Sequence, residues 1–242
     1  MTWLRRIEAA LDLLPAPVDV FFRDDDAGWD DAGLYALLDL FDGQGLPVDV
    51  AVIPRALGSD LARNLLDRGV ALHQHGYAHV SHERAGRSCE FGASRAPADV
   101  RADILAGRAL LDELLGDALL PIFTPPWNRC SAATGTALQR LGLVLSRDRS
   151  ALPLDVPGLA ELPIDVDWHG RHRGVSLTRQ QVADRLADAF RGGGPVGILF
   201  HHAAMDADDR REAGRLLSLV ARHPSCRAVP MAHLLPGVLR CG

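Results

Sequence analysis

Two groups of residues in this sequence have the types and spacing of a metal-binding site. The first is a run of three aspartates, Asp24, Asp25 and Asp26, and the second is the pair His75 and His79. Adjacent carboxylates repel each other, so the run needs a cation or hydrogen-bond donors nearby, although it could instead cap a helix. Histidines at positions i and i+4 share one face of a helical turn and can reach a single ion. Asp26, His75 and His79 are therefore candidate ligands of one divalent metal, with coordination positions left for water.

The two histidines belong to a denser group, because four histidines lie between positions 73 and 82. One ion cannot use all four as ligands. His73 alternates with His75, so it could share the same strand face or support the ligands from a second layer.

The elements that would position these residues follow from the alternation of short apolar runs with segments of helical period. The predicted strands are 18–23, 48–53, 70–74, 121–124, 143–146, 162–166, 196–200 and 227–229. The predicted helices are 31–42, 59–68, 98–115, 131–141, 178–191 and 206–222. This alternation favours the α/β class with a parallel sheet, open or closed into a barrel.

Polar residues directly follow four of the predicted strands. They are the aspartate run, His75, the stretch from Pro125 to Asn128, and the pair His201 and His202. The carboxyl edge of a parallel sheet is where ligands bind in α/β folds. No linker or repeat divides the chain, so we predict one domain over residues 1–242, with residues 1–15 forming an N-terminal helix packed on it. The irregular segment 82–97 is long for a connection and could cover the site.

The composition excludes several kinds of chemistry and partner. The net charge is −5 and no basic stripe is interleaved with aromatics, so we expect no nucleic-acid partner. All 26 basic residues are arginine, which excludes Schiff-base chemistry, a Walker-type lysine and a bridging carboxylated lysine. The four cysteines, Cys89, Cys130, Cys226 and Cys241, form no CxxC pair and are expected to be reduced thiols. The N-terminal segment does not read as a signal peptide and no apolar run has membrane-spanning length, so we expect a cytoplasmic protein without a membrane partner.

Five motifs, taken in order, resemble those of the polysaccharide deacetylase family, also called the NodB-homology or carbohydrate esterase family 4 group. The first corresponds to the segment from Phe22 to Ala27, and the second, His-x-x-x-His, to the segment from His75 to His79. The third motif normally has an arginine before a proline-containing turn. Here the prolines are kept but Thr124 stands in the place of the arginine. The fourth motif resembles the segment from Asp165 to Trp168, and the fifth the segment from Ile198 to His201.

The resemblance implies a role for each matched residue. Asp25 would be the catalytic base, His201 the general acid, and Asp26, His75 and His79 the ligands of a divalent ion, expected to be zinc. The aspartate pair could also be Asp24 and Asp25, and His202 is the competing register for the acid. Residues implied in substrate binding or in support of the site are Arg23, Asp24, Trp127, Asn128, Asp165, Asp167, Trp168 and His202. Arg23 or Arg129 could replace the missing arginine, Asp165 or Asp167 could orient His201, and the Trp127 N–H could hold an oxyanion.

The resemblance also implies a fold and a substrate class. The expected fold is a single-domain distorted (β/α) barrel of about seven parallel strands. The expected function is metal-dependent removal of an acetyl group from an amino sugar or related carbohydrate. Without a visible export signal, a small acetylated sugar or oligosaccharide is a more natural substrate than a cell-wall polymer. The sequence leaves the oligomeric state open.

Two other functions compete with this interpretation. One is a mononuclear amidohydrolase or deaminase, suggested by the segment from His73 to His75, although that class usually carries its His-x-His on the first strand. The other is a catalytically degenerate deacetylase-like domain that binds a glycan or a metal without turnover. Thr124 in the place of the arginine favours this second alternative, whereas the aspartate run and His201 argue against it.

Overall fold

The computed structural model describes residues 3–172 and 174–235, and its contacts group the chain into two compact units. Unit 1 comprises the chain up to Asp25 together with residues 30–49 and 164–234, and unit 2 is built mainly from residues 26–29 and 50–163. The helices are α1 (Leu4–Leu11), α2 (Asp31–Asp42), α3 (Ser59–Asp67), α4 (Pro97–Leu115), α5 (Ala132–Arg140), α6 (Arg179–Arg191) and α7 (Ala207–Arg222). The strands are β1 (Val18–Ala27), β2 (Asp49–Val52), β3 (Ala71–His75), β4 (Leu119–Thr124), β5 (Val144–Leu145), β6 (Val166–Asp167), β7 (Arg171–His172), β8 (Val175–Ser176), β9 (Val196–His201) and β10 (Cys226–Ala228).

Parallel strand pairs form the centre of unit 1. β1 pairs with β10 on one side and with β9 on the other, and β9 pairs with β6. The register of β1 and β9 makes Asp25 and His201 neighbours. Gly197 of β9 lies under the ring of Phe21, where a Cβ would come within 2.4 Å of the ring, so glycine is needed for this close approach. Helix α1 packs against α6, and α2 packs against α7.

Unit 2 carries β2, β3, β4 and β5 in that order, with β4 parallel to both β3 and β5. Its core includes Phe91, Ile104, Phe123 and Leu138. The buried amide of Gln74, in β3, donates to the carbonyl of Ile104 at 3.1 Å, which ties the end of this strand to α4. Burial of these apolar side chains is the main source of stability of the unit.

The alternation of strands and helices confirms the predicted α/β class. The six predicted helices agree with the observed ones to within one residue at each end. Four of them start at a side chain that caps the helix by accepting a hydrogen bond from the backbone three residues on; these residues are Asp30, Ser131, Thr178 and Asp206. The N-terminal helix α1 is shorter than the predicted 1–15. The extent of one domain over residues 1–242 stays a prediction.

The bounds of several strands differ from the predicted ones, because hydrogen bonds with neighbouring strands determine where each strand begins and ends. β1 continues to Ala27, so the three aspartates lie inside the strand rather than after it. Only the last residue of the predicted strand 162–166 lies in a strand, because β6 covers Val166 and Asp167. The Leu162 N–H donates instead to the Leu145 carbonyl and the Asp165 N–H to the Gly197 carbonyl. The hairpin of β7 and β8 carries no sequence signal that we recognised.

The cysteines and the helix lengths bear on chemistry and location. Cys89, Cys130 and Cys226 carry no disulfide, and Cys241 lies outside the described residues. Burial raises the pKa of Cys130 to about 12 and that of Cys226 to about 11, so neither thiol is reactive at neutral pH. Among residues 3–172 and 174–235, no helix combines the length and apolar character that crossing a bilayer requires.

Asp49 gives unit 1 a predictable dependence of stability on pH. Its buried carboxylate accepts a hydrogen bond from the Met231 N–H at 2.9 Å, but burial dominates and raises its pKa to about 7. Because the folded state holds this proton more tightly than the unfolded state, stability is highest below the ordinary aspartate pKa and falls as the pH rises to about 7. The loss is about 4 kcal/mol over that window.

We therefore expect Asp49→Asn to raise the melting temperature at pH 8 relative to the wild type, and to bring little or no gain at pH 4. The amide oxygen can still accept from Met231, and the amide has no charge to desolvate. Thermal unfolding at both pH values measures the effect. Asp60→Asn, at a side chain that is 88% exposed, is the control. An equal shift of Asp49→Asn at both pH values would contradict the assignment.

Candidate metal centre and acid–base residues

Three side chains of unit 2 converge in the arrangement expected of metal ligands. The Asp26 Oδ1 lies 3.1 Å from the His75 Nε2 and 3.2 Å from the His79 Nε2. One donor atom from each residue lies within 4.8 Å of the other two. Two imidazole nitrogens and a carboxylate oxygen form a set that suits zinc and other divalent transition metals while leaving positions open.

The backbone brings these side chains together by irregular turns and not by the helical turn that the i, i+4 spacing predicts. His75 is the last residue of β3. Gly76 and His79 follow in the left-handed region, with φ of 57° and 56°. Asp26 is also left-handed, with φ of 74°, near the end of β1. Non-glycine residues in this region are strained, and such strain persists where the surrounding structure holds it, often at functional sites.

Thr124, in the place of the arginine of the third motif, orients one ligand. Its carbonyl oxygen lies 3.2 Å from the His75 Nδ1. A proton on that Nδ1 leaves the lone pair on Nε2, which faces Asp26. The Thr124 hydroxyl lies 3.0 Å from the Nε2 of the fully buried His73. His73 is therefore a supporting residue and not part of the ligand group.

Glu90 holds the loop that carries His79, a role that no sequence pattern indicates. Its fully buried carboxylate accepts hydrogen bonds from the Tyr77 N–H at 3.2 Å and from the Ala78 N–H at 2.7 Å. A Cβ on Gly76 would come within 2.3 Å of the same carboxylate, so the loop fits only with glycine there. Residues 89–92 are buried, so this part of the segment 82–97 anchors the loop and does not form a lid.

Replacing Glu90 with glutamine should lower the metal affinity by about 10–100-fold, the usual effect of losing an outer hydrogen-bond partner of a ligand. The amide keeps one acceptor for the two N–H groups, so the loop loses part of its support. Zinc titration of the metal-free protein measures the change. Glu113→Gln, on the exposed face of α4, is the matched control, and equal affinities in the two variants would contradict the role of Glu90.

Two tryptophans flank His79. The centroid of its ring lies 4.5 Å from that of Trp29 and 4.4 Å from that of Trp127. Trp29 is 41% exposed, and it follows Asp26 by only three residues, although the sequence pattern did not single it out. Trp127 and Asn128 have left-handed backbones, with φ of 57° and 56°, in the turn after β4. An exposed aromatic face beside the ligands is suited to contact with a substrate.

A second polar group, in unit 1, contains the residues expected to transfer protons. Arg23 and Asp25 form a buried ion pair, in which Nη2 donates to Oδ2 at 2.9 Å and Nε lies 2.8 Å from Oδ1 without the alignment of a hydrogen bond. Arg23 thus supplies, from two residues earlier on the same strand, a guanidinium partner for Asp25. Arg129 instead donates to the Ser88 carbonyl at 2.8 Å.

The aspartate beside this pair has a different partner. The Asp24 Oδ2 lies 2.6 Å from the His202 Nδ1, and both side chains are fully buried. Burial raises the pKa of Asp24, and the charge and hydrogen bond of His202 partly offset the rise. A histidine enclosed in this way has no exposed nitrogen with which to reach a substrate, so its position favours a structural role.

His201, the neighbouring histidine, lies closer to solvent. Its Nδ1 is 3.6 Å from the Asp167 Oδ1, and its side chain is 25% exposed. Burial would raise the pKa of Asp167, but the nearby charge of His201 and the hydrogen bond from the His169 N–H hold that pKa below its ordinary value. Asp167 is therefore ionised and can support an imidazolium. Asp165 accepts from the Gly197 N–H at 2.9 Å, which is a contact within the sheet.

Trp168, which the resemblance implies in substrate binding or in support of the site, is too deeply buried to contact a substrate. It is only 1% exposed and packs against Trp3 and Phe200, with ring centroids at 5.8 and 5.6 Å. Arg179 covers its ring, with the guanidinium carbon 3.8 Å from the centroid. Burial of the large apolar indole ring stabilises the core, and neither face of the ring is accessible to a sugar.

Comparison with known proteins shows the fold of the chain. No protein-family model and no curated protein sequence matches it. Its structure is similar to that of a Mycobacterium smegmatis protein assigned to the polysaccharide deacetylases, with TM-score 0.69, 18% identity and coverage of 92% of this chain and 90% of that one. It is also similar to a family 4 acetyl xylan esterase from Clostridium thermocellum in complex with a cobalt ion, with TM-score 0.62, 16% identity and coverage of 89% of both chains. A third similar structure is a mutant of a carbohydrate esterase family 4 pseudoenzyme with restored enzymatic activity, with TM-score 0.62, 12% identity and coverage of 91% of this chain and 68% of that one.

These similarities confirm the predicted fold. The chain has the α/β fold of the polysaccharide deacetylases and family 4 carbohydrate esterases, with parallel strands and surrounding helices. Fold similarity at this level of identity does not by itself assign an activity. The assignment of function depends on the residues described above.

Proposed function

We propose that this protein is a metal-dependent hydrolase that removes acetyl groups from a carbohydrate, with an N-acetylated amino sugar as the substrate class. The observation that carries the proposal is the convergence of Asp26, His75 and His79 within 4.8 Å. The deacetylase and esterase activities of the structural relatives support the same class of reaction. We propose zinc as the resident ion, because two imidazoles and one carboxylate suit it.

Each member of the set fits divalent metal binding. His75 has a Nδ1 partner in the Thr124 carbonyl, which leaves Nε2 as the ligand atom. The loop of His79 is held by Glu90. When bound, a divalent ion supplies Lewis-acid activation of water and of the substrate carbonyl.

We assign Asp25 the role of general base. Its carboxylate would take a proton from the attacking water, and the ion pair with Arg23 helps to hold the carboxylate in place. Asp25 and Asp26 are consecutive residues of β1, so the base and one metal ligand come from the same strand end. This choice of the aspartate pair is supported by the separate engagement of Asp24 with buried His202.

His201 is the proposed general acid. As imidazolium it would give its proton to the departing amine nitrogen, and the ionised Asp167 stabilises that charged form. Its partial exposure supports this choice over the enclosed His202. Trp29 and Trp127 are the proposed contacts for the apolar face of the sugar ring or the acetyl methyl group. The Trp127 N–H remains the proposed oxyanion donor.

A degenerate binding domain is the alternative that a specific observation favours, because Thr124 replaces the arginine of the third motif. The Arg23–Asp25 pair weakens that alternative, since it restores the carboxylate–guanidinium contact from another position. The amidohydrolase alternative needs His73 as a ligand, and His73 lies outside the ligand group, with its Nε2 near the Thr124 hydroxyl.

The test is acetate release from a panel of N-acetylated and O-acetylated mono- and oligosaccharides. The protein is assayed as purified, after metal removal by a chelator, and after addition of one equivalent of zinc. We expect N-acetyl substrates to release acetate, with activity lost on chelation and regained with zinc. Bound metal without acetate release from any substrate would instead establish the binding-domain alternative.

A further inference from the structure

Unit 1 contains a second group of possible metal ligands, which shares no residue with the ligand set of unit 2. Asp167, His169 and His201 each offer one donor atom, and these atoms lie within 4.8 Å of one another. The rings of His169 and His201 have centroids 6.5 Å apart. Two imidazoles and a carboxylate repeat the donor types of the first set.

His169 has the surroundings of a ligand histidine. Its Nε2 lies 3.2 Å from the Asp209 Oδ2, which places the proton on Nε2 and the lone pair on Nδ1. That Nδ1 is buried and has no hydrogen-bond partner among the described residues. Arg179 pairs with Asp209 and donates to the Trp168 carbonyl at 2.8 Å, so the carboxylate that holds His169 is itself fixed.

We propose that Asp167, His169 and His201 form a second, weaker site for a divalent transition metal, and that an ion bound there inhibits the enzyme. Metal binding and imidazole protonation compete for the same nitrogen lone pair. A His201 that ligates an ion cannot form the imidazolium that donates a proton to the leaving group. The ion displaces that proton to solvent, and no other reactant is needed. The inhibitory consequence depends on the proposed function, whereas the binding site does not.

The experiment is a calorimetric titration of the metal-free protein with zinc alone. We expect the wild type to bind two ions with different affinities. His169→Ala should keep the tighter ion and lose the weaker one, and Asp209→Asn should weaken the second ion by about 10–100-fold. His82→Ala, at an exposed histidine outside both groups, should still bind two ions. A wild type that binds one ion, a His169→Ala variant that keeps both, or a His82→Ala variant that loses the second overturns the site.

The inhibition is tested separately by following acetate release while zinc rises beyond one equivalent. Activity should fall in the wild type and in His82→Ala but persist in His169→Ala, whose proposed acid and first metal set are intact. Inhibition of His169→Ala at the same zinc concentration would overturn the inhibitory role. If no substrate releases acetate but two ions bind, the proposed function fails and the second site stands.

Discussion

Replacing Asp25 with asparagine is expected to lower kcat by about 10²–10⁴-fold while the tight zinc ion stays bound. The amide cannot accept the proton of the attacking water, and Asp25 is not in the ligand group of Asp26, His75 and His79. Acetate release and zinc content are measured on the same preparation.

Asp25→Asn is also expected to be less stable than the wild type, and this loss of stability must be distinguished from a loss of catalysis. Arg23 is fully buried, and removing the charge of its partner leaves a guanidinium that is only partly compensated. Breaking a buried ion pair from one side costs about 3–5 kcal/mol. Activity is therefore compared well below the melting temperature of the variant. The control is Asp31→Asn, in the exposed first turn of α2. It makes the same chemical change without removing the proposed base or a buried ion pair. Turnover close to that of the wild type in Asp25→Asn would exclude Asp25 as the base.

The second large effect that we expect is the loss of zinc binding when one imidazole of the first ligand set is removed. His79→Ala should lose tight zinc binding and, with it, nearly all acetate release. A direct ligand should matter more than an outer partner, whose loss lowers metal affinity by about 10–100-fold. The measurement is the zinc content after dialysis at low free zinc, where the second site is empty.

The matched control for His79→Ala is again His82→Ala, three residues further along the chain and exposed. His79→Ala also removes the ring between Trp29 and Trp127, so circular dichroism and thermal unfolding are recorded to show that the fold is kept. A full equivalent of tightly bound zinc in His79→Ala would show that the ion is held elsewhere and would remove the basis of the proposed function.

Long helices could be predicted closely from the sequence, whereas the short strands could not. A helix of ten or more residues carries its own signals, since apolar side chains recur every three to four residues and a capping side chain marks the start. Thr178 shows this, because its hydroxyl and Gln181 form a capping box at the first turn of α6. β6 has two residues, and its extent depends on hydrogen bonds with β9, which lies some thirty residues further along the chain.

The kinds of residue in the site were also visible in the sequence, because clustered aspartates and histidines are the residue types that bind divalent metals. The residues that support them were not. Glu90 reaches Tyr77 and Ala78 from a segment without periodicity, and Asp209 reaches His169 across 40 positions of sequence. Such contacts depend on where two separate segments pack, which local pattern does not encode.

The run Asp24, Asp25 and Asp26 shows which features of the site can be predicted from the sequence and which depend on packing. The amino-acid sequence suffices to predict that three carboxylates lie near the end of one strand and that histidines able to bind metal lie near the ends of others. Their partners follow from packing in three dimensions: Asp24 contacts His202, Asp25 contacts Arg23, and Asp26 contacts His75 and His79. Consecutive residues of a strand point to opposite faces, so Asp25 shares a face with Arg23 of its own strand, whereas Asp24 and Asp26 contact other segments. The chemistry of each carboxylate follows from that neighbour.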